Sequence, residues 1–160
     1  MMLAIIPAKK NSKRLPNKNI KSFNGKPLIW YSICEAKKSK KISNLLVSTD
    51  SYKIAKTSKK FGANVPFLRP KKFCKSDTTL LDVCKHALNF IERKNNKKYS
   101  SIIALQPTSP LRVHKDIDNA IKIFNKKKAD VLASFSEAKP AEWHRELSKT
   151  GQFKTYISKN

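Results

Sequence analysis

Leu3-Ala4-Ile5-Ile6-Pro7-Ala8 runs without a polar side chain into Lys9-Lys10-Asn11-Ser12-Lys13-Arg14-Leu15-Pro16-Asn17-Lys18-Asn19, and the fold turns on that junction. A short apolar run with no alternation is what a strand buried on both faces requires. The polar stretch behind it contains Pro16 and no helical period, so it reads as a long loop. Five cations and several short hydrogen-bonding side chains therefore stand at the mouth of the first strand. The GxxxxGK[ST] order is missing, which excludes a Walker A loop. Cations and backbone donors in this place still suit a triphosphate, although a solvated lysine-rich loop fits the bare composition equally well.

Outward from this junction, strand and helix signals alternate. Pro27, after Gly25-Lys26, suits a first helical position, with Leu28, Tyr31 and either Ile33 or Cys34 on the apolar face. Leu45 to Thr49 reads as a second strand. Asp50 or Ser51 can cap a helix whose Ile54, Ala55, Ser58 and Phe61 share a face before Gly62 ends it. Val65 to Leu68 suits a short edge strand. Leu80, Val83, Cys84, Ala87, Leu88 and Ile91 recur at helical steps. Ser101 to Leu105 is a further strand, Asp116 to Lys126 a helix with Ile117, Ala120, Ile121 and Phe124 inward, and Val131 to Phe135 a last strand. From Gly151 the chain reads as a turn and a new extended segment, in which Phe153, Tyr156 and Ile157 need a partner strand. This alternation predicts an α/β fold with a mainly parallel sheet covered on both faces and ligands at the strands' carboxyl ends.

The chain has 160 residues, 39% hydrophobic, which suits one compact domain. No run of about 18 apolar residues is present, so the expectation is a cytoplasmic protein with no membrane partner. Cys34, Cys74 and Cys84 form no CxxC pair and are expected as reduced thiols. His86, His114 and His144 are scattered and are expected as satisfied or solvated rings. The formal charge of +24 comes mostly from lysine pairs and short runs placed where helices end or loops begin. That is the pattern of a solvated surface favoured by helix dipoles. No stripe interleaves aromatic with basic residues, so no specific nucleic-acid partner is expected.

The residues in order say more than their composition. Ile6 to Ile20 closely resembles the opening signature of the sialic-acid cytidylyltransferase family, whose enzymes serve neuraminate, legionaminate and pseudaminate. Gly25-Lys26-Pro27-Leu28-Ile29, Val47-Ser48-Thr49-Asp50, Val65-Pro66-Phe67-Leu68-Arg69-Pro70, Ser76-Asp77-Thr78-Thr79 and Leu105-Gln106-Pro107-Thr108-Ser109-Pro110-Leu111-Arg112 resemble that family's segments in the same order. The resemblance implies a three-layer, Rossmann-like sheet of the nucleotide-diphospho-sugar transferase type, in a single domain over residues 1–160 that is incomplete at its carboxyl end.

It also implies roles. CMP would pass from CTP to a nonulosonic sugar acid with release of pyrophosphate, in the service of cell-surface polysaccharide synthesis. Ala8, Lys9, Ser12, Lys13 and Lys18 would surround the triphosphate, with Lys9, Lys13 and Lys18 offsetting charge on the leaving group. Asn19 and Arg69 would face cytosine, Thr79 would complete the nucleotide site, and Gln106, Thr108 and Ser109 would hold the sugar acid. Lys9 stands where the family has arginine, and Asn11 where it has glycine. Arg69 could instead pair with a surface carboxylate, and Gln106 could cap a turn. Magnesium is expected, with its carboxylate ligands, and the excursion through which family members form homodimers, beyond residue 160. Low or absent turnover by this chain alone is the corollary. An inactive nucleotide-binding module and a nonspecific polyanion-binding domain are the alternatives.

Overall fold

The computed structural model describes residues 1–10, 15–134, 145–147 and 153–155. Two compact units divide the chain, Met1–Lys128 and Ala129–Asn160. In the first, β1 (Met2–Pro7) is the middle strand of a three-stranded parallel sheet, between β4 (Asn44–Ser48) and β5 (Ser101–Ala104). The register sets Ile5 opposite Leu46 and Ala104. The expected edge strand at residues 65–68 is reduced to two parallel bridges, Leu46 with Asn64 and Thr49 with Leu68. This segment therefore flanks β4, and the spatial order reverses at β1, the switch point at which α/β sheets open a crevice beyond their strand ends.

Burial explains why the opening run has no alternation. Ala4, Ile6 and Ala8 pack on one side with Ile29 and Ile33 of α1 (Leu28–Lys38), Ile54 of α2 (Tyr52–Lys60), and Ile117 and Ile121 of α4 (His114–Lys127). Leu3 and Ile5 face the other way, onto Cys84, Ala87 and Ile91 of α3 (Leu80–Asn95). Both faces are covered, so the three layers are helices, sheet and helix. Burying a Leu or Ile side chain contributes about 1.5–3 kcal/mol, which makes β1 the strand on which the domain depends.

Caps and stops follow local chemistry. Ser51 caps α2 by accepting from the Ile54 amide, and Gly62 follows at φ 80, a left-handed conformation that favours glycine. At α3, Thr79 Oγ1 accepts from Asp82 N while Asp82 Oδ2 accepts from Thr79 N, closing a capping box. The last turns carry Lys37 and Lys38, Lys59 and Lys60, Arg93 and Lys94, and Lys126 and Lys127. That distribution agrees with a solvated, dipole-complementing charge.

Several expectations are corrected. Pro27 does not begin α1; at ψ 139 it ends a hairpin of β2 (Ser22–Phe23) and β3 (Lys26–Pro27). The turn residues Asn24 and Gly25, at φ 45 and 76, match the Asn-Gly signal for tight hairpins. The buried face of α1 is Ile29, Ser32, Ile33 and Ala36, so of the expected Leu28, Tyr31 and either Ile33 or Cys34 only Ile33 lies on it. Tyr31 is drawn aside because its hydroxyl donates to the Phe23 carbonyl at 2.7 Å. Leu80 is exposed at the start of α3. α4 begins at His114, two residues early, because the Asp116 carboxylate accepts from Val113 N. Residues 131–134 form no strand; Val131 is 81% exposed and no ladder partner is recorded among the described residues. Phe135 lies outside them.

In the second unit, β6 (Arg145–Leu147) pairs antiparallel with β7 (Phe153–Thr155), Leu147 opposite Phe153. The partner strand required by Phe153 is thus present. Tyr156, Ile157 and His144 lie outside the described residues. No helix among the described residues is long and apolar enough to cross a membrane.

Candidate functional site

Beyond the carboxyl ends of the parallel strands lies a hollow of about 260 Å³. Pro7 and Lys9 reach it from β1, Gln106, Pro107 and Thr108 from β5, and Arg69 from the segment flanking β4. Lys18 and Asn19 enter from a 3-10 turn (Lys18–Ile20), and Thr78 and Thr79 from the start of α3. Parallel strands end on the same side, so positions far apart in the chain converge here without any long loop.

Each side chain is held differently. Asn19, 3% exposed, donates from Nδ2 to the Lys9 carbonyl at 3.1 Å. Arg69, 6% exposed, donates from Nε to Ser48 Oγ at 3.0 Å and from an Nη to the Ser48 carbonyl. Its backbone amide donates to the Thr49 carbonyl at 2.7 Å. No carboxylate pairs with Arg69 among the described residues, so the surface ion pair is not what fixes it. Burial pulls its pKa down, with Cys74 and Asp50 opposing. A charged guanidinium has five donors, so the groups not engaged by Ser48 remain for a further acceptor.

Gln106 is exposed, and its backbone is what the fold secures. Its carbonyl accepts from Ser32 Oγ at 3.4 Å and from the Ser109 amide at 3.3 Å. Arg112 Nη2 donates to the same Ser32 hydroxyl at 3.0 Å. Burial lowers the pKa of Arg112, with Asp116 opposing. One turn further along α1, Glu35 accepts from the His114 amide at 2.8 Å and contacts the His114 ring at 3.1 Å. Two polar side chains of α1 thus tie down the segment that presents Gln106. Lys9 and Lys18 are half-buried and make no side-chain hydrogen bond among the described residues.

The hollow therefore brings together Lys9, Lys18, Asn19, Arg69, Thr79, Gln106 and Thr108. The Thr79 hydroxyl is engaged by Asp82, which it meets at 2.7 Å. Ala8 does not line the space; it is fully buried and its amide donates to the Ser48 carbonyl. Ser109 is exposed beside the rim, and Ser12 and Lys13 lie outside the described residues. Sequence reading overlooked the anchors Ser48, Ser32 and Arg112. Ser48 and Arg112 sat inside quoted segments, but what they hold could not be read there. Leu80 was assigned to the core, yet it lines the hollow while 41% exposed.

The thiols are free; Cys84 is buried and pushed up to about 11, mainly by desolvation. No group of three or more His, Cys, Asp or Glu suited to a metal ion occurs among the described residues.

Comparison with known proteins gives a consistent picture. The profile of the cytidylyltransferase family matches residues 3–160. The chain is 33% identical over 150 residues to the CMP-N,N'-diacetyllegionaminic acid synthase of Legionella pneumophila, a match covering 94% of this chain and 64% of that protein. It is 38% identical over 115 residues to the pseudaminic acid cytidylyltransferase of Campylobacter jejuni, covering 72% of this chain and 49% of the relative. The chain thus spans about half to two thirds of the length of these relatives. Among solved structures, a CMP:2-keto-3-deoxy-manno-octonic acid synthetase complexed with CTP superposes with a TM-score of 0.63 at 21% identity. That match covers 80% of this chain and 48% of the other, and it supports the Rossmann-like fold.

Proposed function

The chain belongs to the cytidylyltransferase family, and from that premise we propose that it binds CTP and transfers CMP to a sialic-acid-like nonulosonic acid, releasing pyrophosphate. The observation that carries this reading is the meeting of Lys9, Lys18, Asn19, Arg69 and Gln106 in one hollow at the sheet's switch point. Cytosine presents a carbonyl oxygen and a ring nitrogen as acceptors. Arg69 keeps unengaged guanidinium donors, and Asn19 keeps one amide hydrogen and its carbonyl oxygen. Those groups match a cytosine edge better than an adenine edge.

In the reaction the anomeric hydroxyl attacks the α-phosphorus in line, a P–O bond forms, and the bond to pyrophosphate breaks. No covalent intermediate is required. Lys9 and Lys18, with Lys13, offset the negative charge that grows on pyrophosphate, and fixed donors at a leaving group act without reorganising. Ala8, Ser12 and Thr79 belong to the nucleotide side of this reading. Gln106, Thr108 and Ser109 take the sugar acid. Magnesium is part of the proposal through the nucleotide's own phosphates, which it binds readily. The residues lining the hollow include no carboxylate, so no protein ligand is assigned and no step is routed through the ion. A cytoplasmic setting, a homodimer and a place in cell-surface polysaccharide synthesis complete the proposal.

Calorimetric titration tests the nucleotide half. CTP should bind at least tenfold tighter than ATP, and the preference should persist as salt is raised. Equal affinities that fall together with salt would mean a basic surface and no more. For the transfer half, pyrophosphate release with neuraminate, legionaminate and pseudaminate should exceed release with CTP alone, at the low turnover expected of this chain by itself. No increase with any of the three would refute transfer.

A further inference from the structure

A second concavity lies outside the hollow, between the outer face of α3 and a 3-10 turn (Lys71–Phe73), with a volume of about 760 Å³. That size falls in the range of small-molecule sites. Its floor is a cluster of rings. His86 meets Phe67 edge-on at 4.8 Å and Phe73 at 4.6 Å, and Phe67 meets Phe90 at 4.7 Å. Burial, with Arg69 and Lys72 nearby, lowers the His86 pKa and so favours the neutral ring.

The rim is cationic. Lys72 comes from the turn, and Lys85, Arg93 and Lys94 come from α3. None of the four forms an ion pair among the described residues. The acid at the rim, Asp82, is committed to Thr79 through its N–H and hydroxyl. Lys85 and Arg93 stand eight positions apart, about 12 Å along a helix axis. Lys72 lies over the Phe73 ring at 5.2 Å and Lys85 stands near the Asp82 carboxylate, so the four cations outnumber the one acid. Such a rim attracts an anion, and the aromatic floor selects one that carries a flat ring.

We propose that this groove binds a free mononucleotide or a similar ring-bearing phosphate ester, at a site separate from the hollow at the strand ends. The ring lies on Phe73 and Phe90 while the phosphate meets the cationic rim at one end, at Lys85 or at Arg93. The proposal does not depend on the cytidylyltransferase reading, because no residue named for phosphate or ring lines the hollow.

The test is amide NMR on the isotope-labelled chain with AMP as the probe, the hollow being followed separately through its own residues. Saturable shifts are expected at residues 72–73 and 85–94, with none at Lys18, Asn19 or Gln106. Inorganic phosphate should bind at least tenfold more weakly than AMP. The double variant Lys85→Glu/Arg93→Glu should lose at least tenfold in AMP affinity; both positions are exposed, and Lys85→Ala/Arg93→Ala serves if the reversal disturbs the helix. A tetra-adenylate should bind within tenfold of AMP, which identifies a free nucleotide as the source. The assignment is overturned by AMP shifts confined to the hollow, by equal binding of phosphate and AMP, by unchanged binding in the variants, or by a tetra-adenylate preference above tenfold.

Discussion

The two sides of the hollow are built on different terms. Asn19 and Arg69 are buried and tied to neighbouring backbone, whereas Lys9 and Lys18 are half-buried and make no side-chain hydrogen bond among the described residues. Shape at the anchored wall is set before a ligand arrives, because a buried donor must find its acceptor during folding. The lysines adjust after one arrives, since a flexible ammonium needs only to be near charge. Recognition of the base and neutralisation of the phosphates are thus separate tasks in separate materials. Removing a residue from the anchored wall should harm stability and binding together, and removing a lysine should harm binding alone.

The largest expected effect tests that contrast directly. Arg69→Ala leaves the Ser48 hydroxyl and carbonyl without their charged donor, and such hydrogen bonds contribute roughly 1.5–3 kcal/mol each. A loss of about 3 kcal/mol in urea unfolding is expected, with CTP binding undetectable by calorimetry. Were Arg69→Ala as stable as the parent chain, the wall would not be structural and the contrast would fail. Next in size are Lys9→Ala and Lys18→Ala. Each should weaken CTP by about tenfold, about 1.4 kcal/mol, and flatten the salt dependence. Unfolding free energies should stay within roughly 0.5 kcal/mol of the parent, and a larger loss in either would place that lysine in the anchored set.

Part of this division was legible in the sequence and part was not. The apolar run at 3–8 dictated a doubly covered strand, and the loop cations followed from order alone. The convergence of Asn19, Arg69 and Gln106 was accessible only through resemblance to a family. Periodicity says which face of an element is buried, not which strand ends become neighbours. The hairpin at Asn24-Gly25 carried its signal in plain view and was overlooked because Pro27 suggested an earlier helix start. The groove on α3 was invisible for another reason: its cations resemble every other lysine in a chain of charge +24. Its rings reach a common floor from residues 67, 73, 86 and 90 only after folding.

Thr79→Ala makes a finer cut. It removes the cap of α3, which costs about 1 kcal/mol, at a residue that also lines the hollow. If Thr79 serves chiefly as cap, Thr79→Ser should restore unfolding stability and CTP affinity together. Restored stability with affinity still reduced would instead assign the threonine methyl to the nucleotide wall.

The smallest effect concerns the support of the segment that presents Gln106, and pH exposes it. Burial tends to raise the Glu35 pKa, but hydrogen bonds from Lys38, the His114 amide and the His114 ring outweigh it, so the carboxyl sits below its ordinary value. A carboxyl depressed in the folded state binds its proton more readily when unfolded. Its contribution to stability is therefore present above the ordinary glutamate value, about 4.3, and is lost as pH falls through the lower folded value. Glu35→Gln lacks this titration. The difference in unfolding free energy between parent and Glu35→Gln should thus narrow steadily from pH 5.5 to pH 3, and CTP affinity measured over the same interval should converge with it. A difference that stayed constant with pH would show that Glu35 holds the Gln106 segment by shape alone, and that segment would then owe its rigidity to Ser32 and Arg112.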